Sequence, residues 1–175
     1  MRAAVVAVVT ALAATAAFSG AANAAGDARD GFEGAYWDRW EPASSGSNAQ
    51  AGYDDDGVPG VAYKGSNNGW LYSAGGWAAN RRRIDVSSWG GRANCQARIM
   101  ANPVGRPNQV ELQVWDPNGW RMIATSAPWL QGDVYQPIVT QVNLNGRNVV
   151  YVQAIFATTG TSQFVRIDEM ELECS

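Results

Sequence analysis

Three observations in the sequence predict an all-β fold. Apolar and polar residues alternate over short runs, Gly, Asn, Pro and Asp separate these runs, and no helical periodicity of useful length follows residues 1–24. Alternation with a period of two is typical of half-buried strands, and about ten strands without crossover helices leave an antiparallel sandwich or a barrel. The predicted strands are 31–36, 60–64, 70–74, 81–86, 93–101, 109–116, 120–126, 136–144, 149–157 and 163–173.

Turns and loops separate these strands without dividing the chain. Pro117 and Gly119 suit a tight turn after strand 109–116. The polar stretches 43–57 and 87–92 are interpreted as long loops. No repeat or Pro/Thr-rich linker interrupts the pattern, so we expect residues 25–175 to form a single domain.

The last strand carries an informative change of phase. Val165 and Ile167 alternate on one face, and the apolar residues of 170–174 alternate one residue out of phase with them. Because the side-chain period of a strand is two, this change requires an extra residue, and we predict a β-bulge at Asp168-Glu169. A bulge re-aims side chains, so the acidic pair is a candidate ligand for a hard cation.

The first 24 residues are predicted to be a secretory signal peptide. Arg2 precedes an apolar run, and Ala22-Asn23-Ala24 fits a small-x-small cleavage site. A transmembrane anchor is the alternative, but the run is short for a bilayer and no basic stop-transfer cluster follows it. We therefore expect the protein to be secreted into the extracellular space.

Charge and the absence of histidine exclude several classes of function. Without Arg2 the chain has twelve basic and sixteen acidic side chains, a net charge of −4 (12 − 16). A mildly acidic chain argues against nucleic acid and anionic membranes as partners. The chain has no histidine. Ser-His-Asp, Cys-His and histidine-zinc chemistries are therefore excluded.

The two cysteines, Cys95 and Cys174, are predicted to form a disulfide. An even pair in an exported chain is typical of a structural bond, and both share the phase of inward-facing neighbours. Such a bond closes a loop of about 80 residues and contributes about 4 kcal/mol in the chain-entropy model. Two free buried thiols are the alternative.

Aromatic residues outside the apolar phase are candidate ligand-binding residues. The chain has eight tryptophans and six tyrosines. Exposed aromatic clusters suggest a ligand surface, and sugars present apolar C–H faces that stack on indole rings while their hydroxyls need polar partners. Ordinary core packing, or plugging of the open ends of a sandwich, is the alternative. The candidate ligand-binding residues are Trp115, Trp120, Trp70, Tyr72, Trp77 and Gln113.

Acidic residues suggest a cation site rather than an active site. The segment Asp54-Asp55-Asp56-Gly57 lacks the EF-hand spacing and is interpreted as a solvated loop. Glu33 and Asp168 are better candidates, because both lie at the ends of terminal strands that can meet in a sandwich. No carboxylate pair belongs to a recognisable glycosidase motif.

The densest positive charge is the run Arg81, Arg82 and Arg83. On a strand Arg81 and Arg83 share one face and Arg82 lies on the other. A solvated strand that protects a sheet edge is our interpretation. A grip on the carboxylates of an acidic polysaccharide is the alternative.

Both ends of the mature region resemble a known family. Asp30-Gly-Phe-Glu33 with Trp37 or Trp40 after it resembles the opening of bacterial carbohydrate-binding modules of the galactose-binding-like type, and Val165-Arg-Ile-Asp168-Glu-Met-Glu-Leu172 resembles their final strand. The resemblance implies a jelly-roll β-sandwich of eight to ten antiparallel strands and non-catalytic sugar binding. It also implies a structural Ca²⁺ between the terminal strands, with Glu33 and Asp168 as its carboxylate ligands.

We therefore expect a secreted, non-catalytic protein that binds a polysaccharide or oligosaccharide by stacking tryptophans on sugar rings. The fold also serves as a general interaction scaffold. A factor that binds an extracellular protein, such as an enzyme inhibitor, is accordingly the first alternative. A small glycan-cleaving enzyme is the second.

Overall fold

A computed structural model describes residues 26–54 and 61–175. The predicted signal peptide and Asp55, Asp56 and Gly57 of the acidic segment lie outside the described residues. Within the described part, no helix is long and apolar enough to cross a bilayer.

Short strands account for most of the described chain, with two 3₁₀ turns at Tyr36–Asp38 and Ser87–Trp89. The strands are β1 (Gly26–Asp30), β2 (Trp40–Ser44), β3 (Ala49–Asp54), β4 (Asn68–Ser73), β5 (Gly76–Asp85), β6 (Cys95–Pro103), β7 (Asn108–Gln109), β8 (Glu111–Asp116), β9 (Arg121–Ser126), β10 (Trp129–Leu130), β11 (Gln136–Val142), β12 (Val149–Thr158) and β13 (Gln163–Cys174).

Two antiparallel sheets form a sandwich, which confirms the predicted fold class. The first sheet has the order β11-β6-β13-β4-β3, with β1 also paired to β13, and the second has the order β2-β5-β12-β8-β9. The short strands β7 and β10 pair with each other. In the part of the chain that the structure describes, the two sheets hold six and five strands, slightly more than the eight to ten expected.

Alternate residues of both sheets fill one core. Val150, Val152 and Phe156 of β12 are buried, and so are Leu112 of β8 and Leu71 of β4. This alternation is the period-two pattern that predicted the strands. The side chains of the inward faces form the core, and the alternate side chains of each strand lie on the outward faces of the sandwich.

The predicted bulge in β13 is confirmed. The register between β13 and β6 shifts between Asp168 and Glu171, and Glu169 has a positive φ of 46°. Ile167 and Met170 are both fully buried in spite of the change of phase. The bulge thus keeps both halves of β13 facing the core.

Two predicted strands and one predicted loop are wrong. Residues 31–36 do not extend, because Phe32 and Gly34 have positive φ values of 60° and 86° and a 3₁₀ turn follows. The described part of 60–64 forms turns and bends. The predicted loop 43–57 contains β3, a polar strand at the sheet edge that pairs with β4. Its composition hides it, because an edge strand with few large apolar side chains resembles a loop.

The predicted disulfide between Cys95 and Cys174 is confirmed. The two residues are direct cross-strand partners on β6 and β13, with their Cα atoms 4.0 Å apart. The bond joins residues separated by 79 positions, so it constrains the unfolded chain over about half of its length.

We expect replacement of both cysteines by alanine to lower the free energy of unfolding by about 4 kcal/mol, because the unfolded chain regains the closure entropy of a long loop. Urea unfolding of the double variant and of the oxidised parent measures the difference. A variant as stable as the parent would show that the bond adds no constraint beyond the strand pairing around it.

Candidate functional site

The outer face of the second sheet carries a transverse row of polar side chains. The register pairs Glu41 with Arg81, Arg81 with Gln153, Gln153 with Gln113, and Gln113 with Thr125. Each residue comes from a different strand, so the row crosses all five strands. Neighbouring strands lie about 4.8 Å apart, which gives the row a length of about 19 Å.

Hydrogen bonds hold this row in place. Arg81 Nε donates to Glu41 Oε2 at 2.8 Å. Gln113 Oε1 accepts from Trp115 Nε1 at 2.8 Å and also from Gln153 Nε2. Two donors therefore occupy the Gln113 carbonyl oxygen, and its NH₂ group donates to no acceptor in the described part of the chain.

Two aromatic rings lie beside the polar row. Trp120 and Tyr151 stack with their centroids 5.4 Å apart and their planes 27° from parallel. The Arg81 guanidinium carbon lies 5.7 Å from the Trp120 ring and 5.5 Å from the Tyr151 ring. Trp120 is 55% exposed, so the pair offers an aromatic surface to solvent.

The turn between β8 and β9 places Trp120 over the sheet. Asn118 N donates to Asp116 Oδ1 at 2.9 Å, and Gly119 and Trp120 both have positive φ values, 81° and 47°. A left-handed conformation is unfavourable for a bulky residue, and such strain concentrates at functional sites. The predicted tight turn with Pro117 and Gly119 is therefore present, and it orients an indole ring.

Comparison with known proteins identifies the fold. The chain superimposes on a family 61 carbohydrate-binding module, TmCBM61, solved with β-1,4-galactotriose, at a TM-score of 0.62 and 9% identity over 83% of this chain and 94% of that one. The C-terminal family 22 carbohydrate-binding module of Clostridium thermocellum Xyn10B gives 0.56 and 16% over 84% and 91%. The fold is that of these modules. At this identity the likeness shows the fold alone, and it agrees with the resemblance found at the two ends of the sequence.

An enzyme also contains this fold, and two comparisons of the sequence find no match. The chain also superimposes on part of an enzyme, the α-L-arabinofuranosidase MgGH51 solved with arabinose, at a TM-score of 0.53 and 15% identity over 76% of this chain and 22% of that one. No family model matches the sequence, and a comparison with curated proteins finds no match.

The candidate ligand-binding residues fall on two different sheets. Gln113, Trp115 and Trp120 lie together on the outer face of the second sheet, where Trp115 pairs with Tyr151. Trp77 belongs to the same sheet but lies further along β5, opposite Ala157. The two remaining candidates, Trp70 and Tyr72, lie on β4 in the first sheet.

Several residues of the outer face were missed in the sequence. Tyr151 and Gln153 alternate with the buried aliphatic residues of β12, so the phase argument that selected Gln113 and Trp115 would also have selected them. Arg81 and Arg83 do share a face, as predicted. The edge-protecting interpretation is wrong, however, because β5 lies between β2 and β12.

The middle residue of the arginine run has a separate, structural function. Arg82 points inward, where its Nη1 lies 3.1 Å from Asp30 Oδ2. Arg39 Nη1 also contacts Asp30 Oδ2, at 2.5 Å. Burial lowers the pKa of Arg82, and the buried carboxylate of Asp30 opposes this shift. Asp30, the first residue of the segment in which the sequence resembles such modules, therefore pairs with two arginines.

Glu33 and Asp168, the predicted calcium ligands, bind one loop. Asp168 Oδ2 accepts from Tyr63 N and Lys64 N at 2.8 and 3.0 Å. Glu33 Oε1 accepts from the backbone N–H groups of residues 66 and 67 at 2.6 and 2.9 Å. Burial raises the pKa of Asp168 to about 6, and the nearby charge of Glu169 adds to the rise against the opposing effect of the amide hydrogen bonds.

Backbone amides occupy oxygens of both predicted calcium ligands. Calcium requires six to eight oxygen ligands, whereas the carboxylate oxygens described above already accept amide hydrogens. Among the described residues no group of three or more acidic, histidine or cysteine side chains forms a metal cluster. Calcium binding at Glu33 and Asp168 therefore stays a prediction from the resemblance.

If the prediction of calcium is correct, EDTA lowers the melting temperature and added calcium restores it, because an ion bound only to the folded state stabilises that state. Differential scanning calorimetry of metal-stripped and calcium-refilled protein measures this shift. Equal melting temperatures in the two samples would remove the ion from Glu33 and Asp168.

We expect the stability of the metal-stripped protein to fall as the pH rises from about 4 to about 6, that is, between the ordinary pKa of Asp168 and its pKa in the folded chain. The pKa of Asp168 is higher in the folded chain than its ordinary value of 3.8, so the folded state holds this proton more tightly and loses the advantage as the pH passes the folded pKa. Asp168→Asn cannot ionise and is expected to show a flatter profile. Urea unfolding at several pH values tests this, and equal slopes would contradict it.

Proposed function

We propose that this protein is a secreted module that binds a glycan chain across the outer face of the second sheet without cleaving it. The observation that carries the proposal is the stacked pair of Trp120 and Tyr151 beside a polar row that crosses five strands. Aromatic rings match the apolar faces of sugars, while amide, hydroxyl and guanidinium groups match their hydroxyls. The sugar-binding modules that share the fold support the same assignment.

The shape of this face favours a chain over a single sugar. The polar row is about 19 Å long, and its side chains are exposed or half-buried except for Gln113. The NH₂ group of Gln113 and the hydrogen-bonding groups along the row are fixed by their neighbours before a ligand arrives. Pre-organised donors reduce the entropy lost on binding.

The carboxylates of this face support binding without hydrolysis. Glu41 lies on β2 and Glu111 on β8, three strands away and two residues along from the polar row, which places their backbones about 16 Å apart. Glycosidase carboxylates lie about 5 to 9.5 Å apart across a cleft. Glu41 pairs with Arg81, and Glu111 accepts from Thr125 Oγ1 at 2.7 Å. Both carboxylates thus help to hold neighbouring side chains in place.

We expect Trp120→Ala to weaken retention on an insoluble polysaccharide by about tenfold or more, because truncating an exposed aromatic anchor removes a binding hot spot. The melting temperature is expected to change little, since more than half of this side chain is in solvent. Depletion of the protein from solution by a panel of plant and microbial polysaccharides measures retention.

Trp37→Ala is the matched control, because Trp37 is 72% exposed and its ring contacts Tyr36 rather than the outer face. Equal loss in both variants would indicate non-specific hydrophobic adsorption.

If the parent captures a single extracellular protein and no glycan, the face is a protein interface. Release of reducing ends from a retained polysaccharide would make the protein an enzyme. Trp115→Ala is a poorer test, because it also removes the hydrogen bond from Trp115 Nε1 to Gln113 Oε1, so a loss of binding could arise at either residue.

A further inference from the structure

We call the outer face of the second sheet, with Trp120, Tyr151, Arg81 and Gln113, the glycan face. The outer face of the first sheet carries a separate aromatic strip. Trp70 of β4 stacks on Phe164 of β13 with centroids 5.7 Å apart and planes 25° from parallel. Tyr72 is the direct cross-strand partner of Phe164. On the other side the indole of Trp70 covers Gly52, where an added Cβ would lie 2.5 Å from the ring. Glycine at this position therefore allows the indole to lie flat against β3.

This strip ends at a cavity of about 440 Å³, whose lining includes Tyr72, Phe164, Gln163 and Arg106. A second cavity of about 400 Å³ shares Arg106 and is also lined by Asn108. Arg106 therefore lines both cavities. We call this region, formed by Tyr72, Phe164, Gln163, Asn108 and Arg106, the Arg106 corner.

Hydrogen bonds fix the position of the Arg106 guanidinium. Its Nε donates to Gln163 Oε1 at 3.0 Å, and its Nη2 donates to Ser162 O at 3.2 Å. Gln163 is only 5% exposed, and its Nε2 donates back to Arg106 O at 2.8 Å. Asn108 Nδ2 donates to the same Gln163 oxygen at 2.6 Å. A buried amide thus holds a charged side chain in place.

Arg106 forms no ion pair with a carboxylate in the described part of the chain. Its two hydrogen-bond acceptors are an amide and a backbone carbonyl, both neutral. None of the carboxylate pairs formed by the other arginines includes it. Asp133 lies on the neighbouring loop, where its Oδ1 accepts from Gly105 N at 2.8 Å. The remaining guanidinium N–H groups are therefore available to an anion.

We propose that the Arg106 corner is a second glycan site, which binds an acidic sugar. A hexuronic acid matches it, because the ring has an apolar face for Phe164 and Tyr72 and a carboxylate for the guanidinium fork of Arg106. A sulfated sugar offers the same anionic chemistry with a different geometry. The site lies beside Phe164 and Tyr72 of the first sheet, and its second cavity is also lined by Ala157 and Thr158 of β12. Trp120 lines neither cavity, so the site neither requires nor excludes a ligand on the glycan face.

Calorimetric titration with hexagalacturonate tests this site. We expect Arg106→Gln to weaken binding by about tenfold or more, and neutral methyl-esterified hexagalacturonate to bind the parent equally weakly, because each change removes one half of an ion pair. Trp120→Ala is expected to bind hexagalacturonate like the parent. A sulfated galactan oligosaccharide, tested in parallel, is expected to bind more weakly than the uronate.

Arg121→Gln is the matched control, because it makes the same change of charge at an exposed arginine on β9. If both glutamine variants lose binding equally, the effect is one of net charge and the site is overturned. Loss in Trp120→Ala instead of Arg106→Gln would move the acidic sugar to the glycan face. No binding of hexagalacturonate to the parent overturns the second site, whereas retention of neutral polysaccharides tests the glycan face separately.

Amide chemical-shift changes provide a measurement that does not depend on a variant's folding. In the parent, hexagalacturonate is expected to shift the backbone amides of Gly105, Arg106 and Phe164. It is expected to leave those of Gln113 and Trp120 in place. The reverse pattern would contradict the proposal.

Discussion

The bulge in β13 is the constraint on which the rest of the structure depends. Along one edge β13 pairs with β6 over its length, and along the other it pairs first with β4 and then with β1. A straight strand would turn one half of its apolar side chains to solvent. The extra residue prevents this, and it also brings Cys174 opposite Cys95.

The same bulge buries a carboxylate at the side of the sandwich. Asp168 is inaccessible to solvent, and its Oδ2 accepts two backbone hydrogens from the loop that precedes β4, while its Oδ1 accepts from Glu169 N. Because β4 carries Trp70 and Tyr72, a hydrogen bond at the bulge helps to position the aromatic strip of the first sheet. A cost in desolvation at Asp168 is thus linked to the loop that leads into β4, the strand that pairs with β13.

The two outward faces present different chemistry on one core. On the glycan face the positive charge of Arg81 is balanced by Glu41, and amides and aromatic rings dominate. At the Arg106 corner the guanidinium donates to neutral acceptors, the Gln163 amide and the Ser162 carbonyl. The two cavities at the Arg106 corner are lined by neither Arg81 nor Trp120, so the two surfaces are separate. Two sites of this kind would allow one module to engage a neutral and an acidic segment of the same polymer.

The sequence by itself determined the all-β fold class, the bulge, the disulfide pair and the outward orientation of Gln113 and Trp115. It could do so because alternation with a period of two is a local property of the chain. Only the tertiary structure decided which sheet each strand joins. In the structure Trp70 and Tyr72 lie on a different sheet from Trp120, and Tyr151 lies beside Trp120. Part of the predicted polar loop forms the strand β3. Strand pairing joins residues that are far apart in the chain, and a short window of sequence does not specify with which strand it will pair.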